Sequence, residues 1–107
     1  SLPIDDDRAP LYSVGQVAGM LQVQQAFLRR LDEYEVVRPQ RSTGGQRRYS
    51  RREISRLQYV VTLVDEGMTL AAIRRVLELE HEVRALRQEL EAARRRIVEL
   101  ERRPPRR

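Results

Sequence analysis

The sequence predicts a mainly α-helical chain in two parts: a small winged helix-turn-helix domain and, after it, a long C-terminal coiled-coil helix for dimerisation. Three observations carry this. Two amphipathic segments are separated only by Gln22 and Val23; a Gly44-Gly45 pair lies between Arg-bearing flanks; and apolar residues recur from Val76 to Leu100 at alternating steps of three and four. Four segments follow: an acidic, flexible stretch over residues 1–10, the winged domain over 11–77, the dimerisation helix over 78–103 and a basic tail over 104–107.

The first helix starts at Ser13, an N-cap residue, and carries Val14, Val17, Ala18 and Leu21 at i, i+3, i+4 and i+7. A second helix over residues 24–34 places Phe27, Leu28 and Leu31 on one side and leaves Gln24, Gln25, Arg29 and Arg30 to point elsewhere. So short a connection makes the second helix cross the first steeply. Residues 36–49 read as a wing, a two-stranded ribbon turning at Gly44-Gly45, where positive φ angles are needed. Ser50 and Glu53 form a capping box for a third helix whose apolar face is Ile54, Leu57, Val61 and Val64, ending near Gly67. Thr69 caps a fourth helix, and no Gly or Pro interrupts it before Pro104. Its seam of Val76, Leu79, Val83, Leu86, Leu90, Ala93, Ile97 and Leu100 is narrow and flanked by charge, a pattern best buried against an identical helix.

Composition limits the functions open to such a chain. With 107 residues there is no room for a catalytic domain beside a regulatory one. All 21 basic residues are Arg, set against 16 acids for a net charge of +5, which favours an acidic partner. The excess lies in the middle: residues 38–56 hold seven Arg against the single acid Glu53. Absence of Cys excludes disulfides, thiolate metal sites and thiol sensing, and the lone His81 falls on the outer face of the long helix as a solvated residue. No catalytic constellation, cofactor loop or metal cluster is visible, so an enzyme is the poorest reading. No apolar run reaches the roughly 18 residues of a membrane span, and three Asp near the start argue against a secretory signal; a cytoplasmic location is expected.

The order helix, two-residue turn, helix, Arg-rich hairpin, capped helix and coiled coil resembles the MerR family of bacterial transcription regulators. The likeness lies in residues 12–18 (YSVGQVA), in Phe27-Leu28-Arg29, in residues 44–50 (GGQRRYS) and in residues 67–74 (GMTLAAIR). Residues 70–90 look most like the heat-shock repressor branch. The resemblance implies that the second helix enters the major groove of double-stranded DNA, that the wing grips the backbone, and that the long helix pairs two subunits over a pseudo-palindromic operator. It also implies a protein co-regulator. Arg29 suits bidentate binding of guanine, and Gln24 or Gln25 suits adenine. Arg41, Arg47, Arg48 and Tyr49, with Arg51 at the start of the third helix, suit phosphates; Ser13 and Gln46, inside the shared motifs, join the expected DNA contacts.

Three departures from the family stand out. Gln22 replaces a usual Gly and Gln24 a usual Ser or Thr cap, predicting a strained turn and a weakly started second helix. Arg30-Leu31 replaces paired aromatics, giving Arg30 the phosphate role. In a parallel dimer Glu82 with Arg87, Glu89 with Arg94 and Arg96 with Glu101 would all attract, whereas the seating of two winged domains on DNA favours an antiparallel pair. No ligand-sensing domain follows the seam within this sequence. The alternatives are a coiled-coil interaction adaptor with a merely solvated wing, or a non-specific architectural or excisionase-like DNA-binding protein.

Overall fold

The computed structural model describes residues 5–105. Its elements are β1 (Tyr12–Ser13), α1 (Val14–Leu21), α2 (Gln25–Glu33), β2 (Gln40–Arg41), β3 (Arg47–Tyr49), α3 (Arg51–Asp65) and α4 (Leu70–Glu101). They divide into two compact units, Ser1–Arg74 and Arg75–Arg107.

In the first unit the caps set the element boundaries. Ser13 Oγ accepts from the Gln16 N–H at 3.2 Å while Gln16 Oε1 accepts from the Ser13 N–H at 2.8 Å, a reciprocal box that satisfies donors at the start of α1. Ser50 and Glu53 repeat it at the start of α3 with bonds of 3.1 and 2.8 Å. α1 ends at Gln22 in the left-handed conformation, φ +55°, the place where glycine would be free of strain. α2 then starts from Gln24 without any side-chain cap. α3 stops at Gly67, φ +93°, with the Met68 N–H donating to the Leu63 carbonyl at 3.1 Å. Thr69 Oγ1 accepts from the Ala72 N–H at 3.1 Å and so caps α4.

One expectation is extended here and another corrected. The expected ribbon is present as the β2–β3 pair, with Arg41 opposite Arg47, but it does not stand alone: β1 extends it to a three-stranded antiparallel sheet in the order β1-β3-β2, with Tyr12 opposite Tyr49. A two-residue strand such as β1 has no periodicity to read, and its pairing with β3 gives the short hairpin the third strand that an isolated one lacks. On α3 the buried face is Leu57, Val60 and Leu63, while Ile54, Val61 and Val64 are only half-buried. The doublets Val60-Val61 and Leu63-Val64 offer two stripes one residue apart, and packing against the rest of the core selects the first. That core comprises Val17, Ala18, Leu28, Leu31, Val36, Val37, Tyr49, Leu57, Val60, Leu63 and Ile73.

Two bonds link the end of the acidic segment to the winged domain: the Arg52 N–H donates to the Asp7 carbonyl at 3.0 Å, and Gln40 Nε2 donates to the Arg8 carbonyl at 3.3 Å. The first of these supplies an acceptor to an N–H that the first turn of α3 cannot satisfy itself. Residues 1–4 and 106–107, which complete the expected acidic segment and basic tail, lie outside the described residues.

The second unit is the body of α4. Leu79, Val83, Leu86, Leu90, Ile97 and Leu100 are exposed along it, as is Ala93, and Val76 is half-buried. Around them run exposed ion pairs one turn apart, Arg75 with Glu78 at 3.3 Å and Arg96 with Glu99 at 3.5 Å, each worth about 0.2 to 0.5 kcal/mol to the helix. Among the described residues no helix is long and apolar enough to cross a membrane, and no group of acidic or His side chains could hold a metal ion.

Candidate nucleic-acid interface

One open concavity of the first unit is lined by Ser13 and Val14 at the start of α1, Arg29 on α2, and Arg41, Gly45, Gln46, Arg47 and Arg48 of the wing. Local folding explains the convergence. The capping box places Ser13 at the start of α1, and β1 pairs Ser13 directly with Arg48, so the helix start and the wing share one edge. Arg29 on α2 lines the same concavity. There Arg29 Nη2 donates to Gln25 Oε1 at 3.2 Å, which ties the side chain to its own helix one turn back. A Cβ on Gly15 would sit 3.3 Å from Gln25 Nε2, so the Gln25 amide passes close over the start of α1.

Asp32, which sequence reasoning did not single out, organises the charge. Its side chain is 7% exposed, and Oδ2 accepts from Arg47 Nε at 2.8 Å and from Arg41 Nη2 at 3.0 Å. Arg38 Nε stands 3.6 Å from Oδ1. The available signal was position: Asp32 follows Leu28 by four residues, on the buried stripe of α2, where an acid persists only with partners. Three guanidinium groups around one carboxylate leave the cluster cationic. Within the wing, Arg41 Nη1 also donates to the Gly45 carbonyl at 3.2 Å, and Arg48 Nη2 donates to Gln46 Oε1 at 3.0 Å.

The other expected contacts are placed differently. Gln24 lines a separate groove with Val23, Phe27 and Val61. Arg30 lies near the Tyr34 ring, 6.0 Å from its centroid, beside a groove of Phe27, Val64 and Met68; neighbouring helical positions point about 100° apart, which separates it from Arg29. Arg51 is exposed on the first turn of α3, outside the concavity. Tyr49 is corrected outright: it is fully buried, its hydroxyl has no hydrogen-bond partner among the described residues, and it cannot meet a phosphate from there. Burial, and secondly the charge of Asp32, pushes its phenol up to about 12. Side chains alternate across β3, so with Arg48 facing outward Tyr49 turns to the core.

Tyr49→Phe is therefore expected to raise stability by about 1 kcal/mol, because an unpaired buried hydroxyl is removed, and to leave DNA affinity unchanged. The folded phenol ionises later than the unfolded one, so this tyrosine costs the wild type stability as pH rises from 10.0 to about 12, and the variant loses that part of the decline. Chemical denaturation across that pH window measures both effects.

Comparisons with known proteins identify the family. The profile of the MerR helix-turn-helix regulatory protein family matches residues 12–80. The heat shock protein HspR of Streptomyces coelicolor is 40% identical over 78 residues, covering 72% of this chain and 52% of that protein. The HTH-type transcriptional regulator GlnR of Bacillus anthracis is 32% identical over 73 residues, covering 68% of this chain and 57% of that protein. The chain thus spans about half the length of the curated relatives it matches. Among solved structures, the N-terminal part of the Bacillus subtilis multidrug transporter activator MtaN superposes with a TM-score of 0.60 at 25% identity, covering 83% of this chain and 90% of that one. HiNmlR, a MerR-family regulator solved on promoter DNA, shares the fold with a TM-score of 0.60 at 22% identity over 85% of this chain and 79% of that one. By its profile match and these sequence identities, the chain belongs to the MerR family of helix-turn-helix regulatory proteins.

Proposed function

We propose that the chain is a homodimeric, sequence-specific DNA-binding transcription regulator, with α2 in the major groove, the wing on the backbone and α4 pairing two copies in antiparallel fashion. The observation that carries this reading is the single concavity in which Arg29 of the second helix faces the same space as Arg41, Arg47 and Arg48 of the wing. A helix side chain able to read guanine beside several phosphate-binding guanidinium groups is what base readout combined with backbone positioning requires. The exposed seam on α4 supports pairing, since a row of large apolar side chains left in water is unfavourable until a second helix covers it. Two such domains would read half-sites about one or two helical turns apart.

Selection of bound duplexes from a random-sequence pool tests the proposal. Enrichment of a two-half-site sequence is expected, with an affinity that falls by several decades between about 50 and 200 mM salt. Arg29→Ala is expected to weaken the enriched duplex about tenfold or more while changing a scrambled duplex little. Equal losses on both duplexes would remove Arg29 from the reading role. Failure to enrich any sequence would favour a non-specific architectural protein, and weak salt dependence an adaptor.

A further inference from the structure

We infer that Asp32 is a positioning residue for DNA recognition: its carboxylate holds one edge of the Arg41 and Arg47 guanidinium groups against the second helix and leaves their other N–H donors for phosphate. The inference rests on reading this face as the DNA interface and adds to it the group that locks reader and grip into one frame.

β1 and the buried Tyr49 anchor the inner strand β3, and the outer strand β2 has fewer ties. β2 and β3 are two and three residues long, too short for a ladder of backbone bonds to hold the hairpin at a defined height above α2. Arg41 and Arg47 are direct cross-strand partners, and like charges in that relation repel. One carboxylate oxygen, Asp32 Oδ2, accepts from both at 3.0 and 2.8 Å and converts the repulsion into a bridge. Asp32 lies on α2 three residues after Arg29, so the bridge fixes the wing against the element that carries the candidate base reader.

Chemistry permits both contacts at once. Arg47 spends its Nε on Asp32; its side chain is 20% exposed, and among the described residues its terminal amino groups meet no carboxylate. Arg41 spends Nη2 on Asp32 and Nη1 on the Gly45 carbonyl, and its side chain is still half-exposed. A guanidinium anchored on its inner side by a carboxylate arrives at a phosphate with its rotamer already chosen, and less freedom is lost on binding. Asp32 itself touches no nucleic acid in this arrangement.

The test uses the full chain, the duplex most enriched by the wild type from a random pool, and a scrambled duplex of the same composition. Circular dichroism first defines a temperature at which each variant is fully folded. Asp32→Asn is expected to narrow the affinity ratio between the two duplexes about tenfold and to erase hydroxyl-radical protection at the flanks of each half-site. Asp32→Glu, which retains a carboxylate, is expected to recover most of the ratio. A residue that only stabilised the fold would leave both ratio and footprint intact once folding is complete, and that result overturns the inference. Should Asp32→Asn fail to fold, the Arg41→Lys, Arg47→Lys double variant carries the test, since it keeps the charge for phosphate but lacks the fork that holds Asp32 and a phosphate at once, with a narrowed ratio expected and an unchanged one overturning the inference. A wild type that enriches no duplex overturns the DNA reading and this inference together. A wild type that discriminates beside an Asp32→Asn variant that does so equally well overturns the inference alone.

Discussion

Replacing Leu86 and Leu90 together with Glu is expected to weaken binding to a two-half-site duplex about 10²- to 10⁴-fold and to leave binding to a single half-site as it was. Both residues lie at the centre of the α4 seam and are exposed, 62% and 50%, in the single chain. In the proposed dimer they become the knobs of a two-stranded coiled coil, and four carboxylates at that position would have to be desolvated together. The winged domain keeps its fold, because its core among the described residues lies between Val17 and Ile73, away from this part of the seam. What disappears is the tether that makes the second half-site contact intramolecular. Sedimentation equilibrium should find a monomer, and titration of long and short duplexes should find equal affinities per half-site. A variant that remains dimeric would show that α4 does not pair through this seam.

Leu57→Ala is the substitution expected to cost most in stability, about 2 to 5 kcal/mol. Leu57 is fully buried on α3, in a core of eleven apolar side chains among the described residues, and truncating it leaves a cavity in close-packed surroundings. A domain this small has only about 5 kcal/mol or a little more in total, so the variant should be largely unfolded near physiological temperature. Val61→Ala, one stripe away and half-buried, should cost about 1 kcal/mol or less. Denaturant titration of the two variants discriminates between the faces of α3; equal losses would mean that Val61, not Leu57 alone, faces the core.

Much of the fold was legible because its signals are local. Ser13, Ser50 and Thr69 cap the helices they were expected to cap, and the turn strain anticipated at Gln22 is present as a positive φ angle. Of the proposed DNA-contacting residues, Ser13, Arg29, Arg41, Gln46, Arg47 and Arg48 meet in one concavity. Gln24 and Arg30 do not, because their places on α2 turn them to other grooves, and a motif read as a string does not record helical phase.

Sequence by itself determined the helix starts and stops, the hairpin turn, the basic middle and the unbroken apolar seam of α4. All of these follow from residues within a few positions of one another, where capping geometry and helical period leave little choice. Only the tertiary structure decided which doublet member of α3 enters the core, that β1 joins the wing, that Tyr49 turns inward, and that Asp32 gathers Arg38, Arg41 and Arg47. Each of those outcomes depends on partners brought close by folding and not by adjacency in the chain: a buried carboxylate or a two-residue strand acquires its meaning from the groups packed against it.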